Sequence, residues 1–302
     1  MLSATLPLAA LWVGIRLGGL QLGLLAGAIA VVMPGHQIYS VTSMDGVFNA
    51  ILAWGAVLFL VALEPGSRPR MALLAGAVIG LGLFFTFAAT QLAFFGLAVL
   101  LVAIWRQRSA LGPATGWGAA LAHPLRQSLL AAGVIGGAYL VLWLVTGYNV
   151  VAGALAATAH NATVMRGFAD EATSRAFVPP SLAFYTLHLL ANLLPFAWYL
   201  GPWGLQASLA GGHHALQQRP WRGLASLSLA TAALVGGMVL SGLFNREVER
   251  IWSFVYPLAA VVIAAHSLRG TSPGERRWRA AMYLGLFVAH TMFIRVTLNT
   301  FW

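Results

Sequence analysis

The strongest constraint on the fold is a succession of long apolar segments, each closed by a short polar turn. Residues 47–63, 71–88 and 223–243 approach or reach the roughly 20 apolar residues that cross the hydrocarbon of a bilayer. Hydrophobic residues make up 60% of the chain and charged residues only 8%, so one soluble core cannot hide this much apolar surface. The sequence therefore predicts an integral membrane protein.

The spans are predicted to be helices. Backbone inside hydrocarbon must satisfy its own hydrogen bonds, which only helices and closed barrels achieve. The apolar runs lack the period-2 alternation of barrel strands, which favours helices. We expect an all-α, polytopic fold, a single transmembrane domain over residues 1–302 without a soluble domain. About ten spans are predicted, at roughly 2–15, 18–34, 42–63, 71–88, 90–105, 128–147, 181–203, 223–243, 251–267 and 280–298.

The arginines predict the orientation of these spans. The chain has 17 basic residues, all of them arginine. If the first span starts outside, alternate connections carry 12 of the 17, and the positive-inside rule makes that side cytoplasmic. Five of the seven acidic residues then face outside. We expect a bacterial plasma-membrane protein with its active face outside. The 12 arginines are Arg16, Arg68, Arg70, Arg106, Arg108, Arg126, Arg219, Arg222, Arg269, Arg276, Arg277 and Arg279.

Several kinds of site have no pattern in the sequence. There is no cysteine, which excludes disulfides and thiol chemistry. Zinc-ligand spacing, a P-loop, GxGxxG, HExxH and a nucleophile elbow are absent. His213 and His214 fall in a predicted cytoplasmic connection without acidic residues. We predict no metal site and no cofactor, with the need for a divalent cation left open. The net charge of +10, carried by arginine alone among the basic residues, does not indicate nucleic-acid binding.

The first polar group on the predicted outer face is the turn 34–48, "PGHQIYSVTSMDGVF". Ser43 or Asp45 can cap the next helix by accepting hydrogen bonds from its free backbone N–H groups. Alternatively, Asp45 faces an outward cavity as a carboxylate that positions or deprotonates an acceptor. His36 lies in the same turn and is a candidate for binding the substrate or its carrier phosphate. Both uses of Asp45 stay open at this point.

The second polar group is the long outer loop 147–180. It is either a solvated connector or a lid over a site. His160 is, with His36, one of the two histidines in the outer connections, which makes it a candidate donor or general acid–base. Arg166 begins the polar part of this loop and is a candidate for binding the substrate or its carrier phosphate.

The third polar group is the stretch 241–258, which contains four charges within five positions. On a helix, Arg246 and Arg250 would share one face. They then form either a surface ion-pair network or a fork of guanidinium groups for phosphate oxygens, held in place by the neighbouring carboxylates. Trp252 and Tyr256 are predicted to be interfacial anchors. The four charged residues are Arg246, Glu247, Glu249 and Arg250.

Two runs carry a resemblance to a known family. They are "IRLGGLQLGLLAGAIAVVMPGHQIYSVTSMDGVFNAILAWGAVLFLVAL" and "RPRMALLAGAVIGLGLFFTFAATQLAFFGLAVLLVAIW". Their order of basic turn, helix ending in proline, polar outer turn with an acid, and Gly-rich helix pair resembles GT-C-type glycosyltransferases, the protein mannosyltransferase-like group. The resemblance covers about residues 10–105 and extends more loosely to 258.

The resemblance implies an enzyme that takes a sugar from a polyprenyl-phosphate carrier and transfers it to an acceptor on the outer face. Asp45 then matches the acid of the second outer loop, the loop 147–180 lies near donor or acceptor, and Arg246 and Arg250 hold the carrier phosphate. The sugar, a hexose or a pentose, and the acceptor, a glycan, lipid or protein, stay unassigned. Membrane lipid is the remaining partner, and no nucleic acid is expected.

The chain departs from the family pattern at its beginning. The family's principal catalytic acid lies in the first outer loop, and this chain starts at the position of the second span. The expectation is therefore divided between an active transferase and an incomplete or inactive member that serves as a scaffold. A transporter or lipid flippase without covalent chemistry is the alternative from another class. It would need functional polar groups near mid-membrane, where the sequence has only Asn49, Gln91, His188, Asn192 and His290.

Overall fold

The computed structural model describes residues 2–40, 45–112, 116–157, 159, 182–217, 223–241, 251–270 and 272–297, and within these it contains helices and turns but no strand. The predicted all-α class is confirmed. Short helical turns cover Leu2–Thr5, His36–Ser40, Phe87–Gln91 and Trp252–Val255. The longer helices are α1 (Leu6–Gly18), α2 (Leu20–Val32), α3 (Asp45–Ala62), α4 (Pro69–Phe85), α5 (Leu92–Leu111), α6 (Trp117–Thr146), α7 (Leu182–Leu200), α8 (Pro202–Gln217), α9 (Gly223–Ser241), α10 (Tyr256–Ser267) and α11 (Pro273–Thr297).

Glycines set the close packing of the first helix pair. Gly19 joins α1 to α2 with a φ of 84°, a conformation that favours glycine. The two helices then run back along each other so closely that a Cβ on Gly14 would lie 2.7 Å from the Cα of Gly23. The glycines of these helices thus allow the two backbones to approach closely, as small residues do in many membrane helix pairs.

Helix α10 lies at the centre of the bundle. It packs against α1, α2, α8 and α9, and every residue from Tyr256 to Ala264 is buried. A helix that is apolar on all sides must be covered by other helices or by lipid, and in α10 the cover is other helices. The twelve residues of α10 and the turn before it therefore form the core around which the longer helices assemble.

The two ends of the bundle differ in chemistry. One end, which we call the histidine end, contains His36, the start of α3 and the turn Trp252–Val255. The opposite end, the arginine end, contains the C-terminal end of α1 and the turn between α3 and α4. The arginines near this end are Arg16, Arg68, Arg70, Arg106, Arg108, Arg126, Arg269, Arg276, Arg277 and Arg279. The structure thus groups at one end ten arginines that the sequence assigns to one side.

Five helical segments are long and apolar enough to cross a membrane. The chain is therefore consistent with an integral membrane protein, while the number of ten spans stays a prediction. The most exposed of the five is α6, in which only 6% of the most apolar stretch is buried inside the protein. Lipid must cover such a surface. The five segments are Asp45–Ala62, Phe87–Leu111, Trp117–Thr146, Gly223–Ser241 and Pro273–Thr297.

One predicted connection is wrong. Residues 204–222 are predicted to be a cytoplasmic connection, but α8 is a helix that packs into the bundle. The Tyr283 hydroxyl donates to Oε1 of Gln206 at 3.4 Å, and the Arg269 guanidinium donates to the carbonyl of Gly211 at 3.3 Å. The first contact gives the polar side chain of Gln206 a partner, and the second ties the backbone of the helix to Arg269.

Candidate functional site

Asp45 is the first residue of α3 and is half-buried at the histidine end. A carboxylate in the first turn is stabilised by the free N–H groups and the positive end of the helix dipole. This position agrees with both predicted uses, because a helix start at the end of the bundle also presents an acid to a bound molecule. Ser43, the other predicted cap, lies outside the described residues.

His36 is buried at the start of a π-helical turn, where its backbone N–H donates to the carbonyl of Met33 at 3.1 Å. Burial removes the hydration of the imidazolium form and lowers the pKa of His36 to about 4. The side chain is therefore neutral at pH 7. It was predicted to help bind a carrier phosphate, and in the neutral state it contributes a hydrogen bond rather than a charge.

Tyr256 fixes the position of this turn. Its ring lies so close to Gly35 that a Cβ there would come within 2.0 Å of the ring atom Cε2. Only glycine fits this approach, which places His36 directly beside the N-terminal end of the central helix α10. On the other side of the turn, the Arg295 guanidinium donates to the carbonyl of Gln37 at 3.4 Å.

Trp252 and Tyr256 are not interfacial anchors as predicted. Both are completely buried, and both contact Phe196 of α7. The Tyr256 and Phe196 rings stack at 5.3 Å, and the Trp252 ring meets Phe196 edge-on at 5.8 Å. Burying such large rings between helices contributes more than an interfacial position would. These aromatic residues therefore form a packed layer beneath the histidine end.

One hydrogen bond joins two regions that the sequence singles out separately. The backbone N–H of Phe254 donates to Oδ1 of Asn49 at 3.2 Å, and both residues are buried. Asn49 is one turn below Asp45 on α3. The segment that enters at Ile251, immediately after the predicted phosphate-binding charges, is thereby held against the helix that begins with Asp45.

Gln91 is a candidate that the sequence analysis treats only as one of a few polar groups in the spans. The structure places it at the end of the turn Phe87–Gln91, at the histidine end, with 1% of its surface exposed. Within the described part of the chain, neither its Nε2 nor its Oε1 has a hydrogen-bond partner. A buried amide atom left without a partner costs about 1–3 kcal/mol, so its presence indicates a ligand group or water.

The remaining predicted site residues lie outside the described residues. They are His160, Arg166, Arg246, Glu247, Glu249 and Arg250. The loop 147–180 is described only for residues 147–157 and 159. The shared helical face of Arg246 and Arg250 therefore stays a prediction. In the described ranges, no three histidine, aspartate or glutamate side chains group together in a way that could hold a metal ion.

The histidine end thus combines a carboxylate at a helix start, a neutral buried imidazole and a buried amide without a partner in the described structure. Such groups suit recognition of a hydroxylated molecule and transfer of a proton. No known protein family matches the chain, and no curated protein matches it.

Proposed function

We propose that the protein is a membrane glycosyltransferase that transfers a sugar from a polyprenyl-phosphate-linked donor to an acceptor at the histidine end. The observation that carries this proposal is the hydrogen bond from Phe254 to Asn49. It holds the start of the segment that follows Arg246 and Arg250 one helical turn from Asp45. The reaction needs a carboxylate that takes the proton of the acceptor and guanidinium groups that bind the phosphate of the donor. In this proposal, Asp45 is the carboxylate, and Arg246 and Arg250 bind the phosphate.

The proposed reaction has one displacement step. The acceptor oxygen attacks the anomeric carbon, and the bond from that carbon to the phosphate oxygen breaks with its electron pair on the phosphate. Asp45 accepts the proton of the acceptor hydroxyl. Arg246 and Arg250 stabilise the charge that develops on the leaving phosphate, with Glu247 and Glu249 orienting them.

The remaining candidates have supporting roles in this proposal. His36 is neutral and suits a hydrogen bond to a sugar or phosphate oxygen. Gln91 offers one donor group and one acceptor, the pairing that a sugar hydroxyl requires. His160 and Arg166 belong to the loop that would cover the donor.

Polar contacts within the bundle support an enzyme over a transporter. Asn49 accepts from the backbone of Phe254, and Nε2 of His290 lies 2.9 Å from the carbonyl of Trp198. Both groups join neighbouring segments of the bundle. A transport route needs such groups to face a passage near the membrane midplane. In the described residues, these two groups are used in packing.

The location that goes with this activity is a bacterial plasma membrane with the histidine end outside. The grouping of arginines at the opposite end supports it, because arginine-rich ends stay in the cytoplasm.

The test is a transfer assay with the full chain in lipid nanodiscs. Undecaprenyl phosphate carrying radiolabelled mannose or arabinose is supplied together with a bacterial membrane extract as the source of acceptors, and release of undecaprenyl phosphate is measured. We expect Asp45→Asn to reduce turnover by about 10²–10⁴-fold, the contribution of a general base. Asparagine also stabilises helix starts, so the variant retains the fold. Glu275→Gln, in the first turn of α11 at the arginine end, is the matched control and retains activity.

Two outcomes count against the proposal. Full activity of Asp45→Asn would remove Asp45 from the reaction. No turnover of either donor by the wild type would reject a transferase, and binding of undecaprenyl phosphate is then measured separately. If Arg246→Ala with Arg250→Ala leaves that binding unchanged, the phosphate role of these arginines is also rejected.

A further inference from the structure

A second polar site lies at the arginine end, on the opposite side of the bundle from Asp45. It is a cleft of about 220 Å³ between the C-terminal end of α1 and the turn that joins α3 to α4. Three arginines line it, Arg16, Arg68 and Arg70, together with one acid, Glu64. Its volume is below the range typical of drug-sized ligands, roughly 300–1,000 Å³, and suits a small anion or a lipid headgroup.

The turn that forms one wall of the cleft is held by side chains from α6. Nε2 of His123 lies 3.0 Å from the carbonyl of Glu64, and Nε2 of the fully buried Gln127 donates to the carbonyl of Ser67 at 3.1 Å. Inside the turn, the N–H of Ser67 donates to the carbonyl of Glu64 at 3.0 Å. The arginines that follow this turn therefore start from a fixed backbone.

Two of the three arginines have no protein partner within the described structure. There, Arg68 and Arg70 make no hydrogen bond or ion pair, whereas Arg16 places its guanidinium over the Trp12 ring at 5.5 Å and interacts electrostatically with Glu64. Burial raises the pKa of Glu64, against the opposing effect of Arg106 and Arg16. A carboxyl group that is harder to ionise competes less for these arginines.

An arrangement of several guanidinium groups around one small cleft matches the oxygen atoms of a phosphate. Simple topological anchoring requires arginines on this side of the membrane, but it does not require three of them to line one cleft beside a braced turn. The first turn of α4, with Arg68 preceding it and Pro69 at its start, adds the positive end of a helix dipole to the same wall.

We propose that the cleft formed by Arg16, Glu64, Arg68 and Arg70 binds a phosphate group. The group belongs either to the headgroup of an anionic lipid or to a free phosphate. Because the cleft is at the end of the bundle opposite Asp45, this binding does not depend on the glycosyltransferase proposal.

The test uses native mass spectrometry of the full chain released from vesicles of phosphatidylcholine with phosphatidylglycerol. We expect one phosphatidylglycerol molecule to remain bound to the wild type. In Arg68→Gln with Arg70→Gln, its affinity falls by about ten-fold or more, since hydrogen bonds to charged groups are lost. The matched control is Arg276→Gln with Arg277→Gln, which removes the same charge near the same end but outside the cleft. This control keeps the affinity within about two-fold, because surface charge alone contributes little.

Two further measurements complete the test. One distinguishes a lipid headgroup from a free phosphate ion as the bound group, and the other uses a variant that keeps the charges. In vesicles of phosphatidylcholine alone, addition of inorganic phosphate shows whether the free ion binds and whether it displaces phosphatidylglycerol. Arg68→Lys with Arg70→Lys keeps both charges, and thereby the topology, but removes the planar guanidinium groups, and it is expected to weaken binding as well.

Equal loss of affinity in the cleft variant and in the Arg276 and Arg277 control would overturn the proposal, because general attraction to the surface would then explain the binding. Retention of neither phosphatidylglycerol nor inorganic phosphate by the wild type would overturn it too. Activity with a sugar donor has no part in this readout, so failure here and failure of the proposed function are distinguishable.

Discussion

The backbone N–H of Phe254 donates a hydrogen bond to Oδ1 of Asn49 at 3.2 Å, across 205 positions of the chain. This contact fastens the segment before α10 to α3. We expect Asn49→Ala to lower the free energy of unfolding by about 1 kcal/mol, as for hydrogen bonds between membrane helices. It should also reduce sugar transfer, because the segment after Arg250 loses its anchor. Unfolding in detergent mixtures and the transfer assay measure the two effects.

Asn149→Ala is the control for this prediction. Asn149 is exposed and caps the helical residues 150–157 by accepting from the N–H groups of Val151 and Ala152 at 3.0 and 3.1 Å. Its loss frays a surface helix and leaves the bundle intact. If both variants lower the free energy of unfolding by the same amount, the hydrogen bond at Asn49 stabilises the bundle no more than the surface cap at Asn149 does.

Gly35→Ala tests the close approach of Tyr256. A Cβ at this position would lie 2.0 Å from the ring, which is fully buried and has no space to move. We expect a loss of about 1–3 kcal/mol in the free energy of unfolding, typical of overpacking. The control is Gly136→Ala on α6, where nothing lies within 4 Å of the new Cβ. That change is expected to be neutral or to stabilise by up to about 1 kcal/mol through helix propensity. Similar stability of both variants would contradict the contact.

The pH dependence of stability tests the burial of His36. Its pKa is about 4 in the folded protein and 6.5 as the ordinary value, so the unfolded chain takes up a proton first as the pH falls. The stability that depends on the neutral side chain is complete above pH 6.5 and is lost progressively towards pH 4. His36→Gln is expected to remove this part of the pH dependence, a few kcal/mol in size. Thermal unfolding of wild type and variant across this range measures it, and identical pH profiles would refute it.

Two buried glutamines provide a matched pair for the fourth prediction. Gln91 has no partner for either amide atom in the described part of the chain, whereas Gln127 has a partner for Nε2, which donates to the carbonyl of Ser67, and none there for Oε1. We expect Gln91→Leu to raise the free energy of unfolding by about 1 kcal/mol, since it removes a buried amide without breaking a bond within the described structure. Gln127→Leu should lower it by a similar amount.

The KM measured in the transfer assay also distinguishes Gln91 from Gln127. If Gln91 contacts the sugar, Gln91→Leu raises KM for the donor although the protein is more stable. A stabilised variant with unchanged KM would exclude Gln91 from the site and leave it as a packing defect. Gln127→Leu lies at the arginine end and is expected to keep the wild-type KM.

The helical class and most helix positions follow from the sequence because apolar runs between arginines are a strong signal. The predicted span 42–63 corresponds to α3, and the predicted span 71–88 corresponds to α4 and the turn after it. The helix over residues 202–217 was missed because its glutamines and histidines lower its hydropathy. Gln217 and His213 pair within the helix at 2.9 Å, but the partner of Gln206 is Tyr283 of α11, which is distant in sequence, so no local pattern predicts that contact.

Some features of the candidate site could be predicted from local sequence patterns, and others depend on residues that are distant in the chain. Asp45 could be chosen from sequence because an acid at a predicted helix start is unusual in so apolar a chain. The burial of Trp252 and Tyr256 could not, since aromatic rings are equally common at membrane interfaces and in helical cores. Which of the two applies here depends on Phe196, 56 and 60 positions away, and only the packed structure places it beside them.

The position of α10 in the chain determines when the bundle can be completed. Residues 1–255 are synthesised before this central helix, so α1, α2 and α9 are made before the element that they surround. Until it arrives, the faces that will contact it must be covered by lipid or by one another. Assembly of the bundle is therefore completed late in synthesis. A chain truncated before Tyr256 would lack the central helix and would be a substrate for membrane quality control.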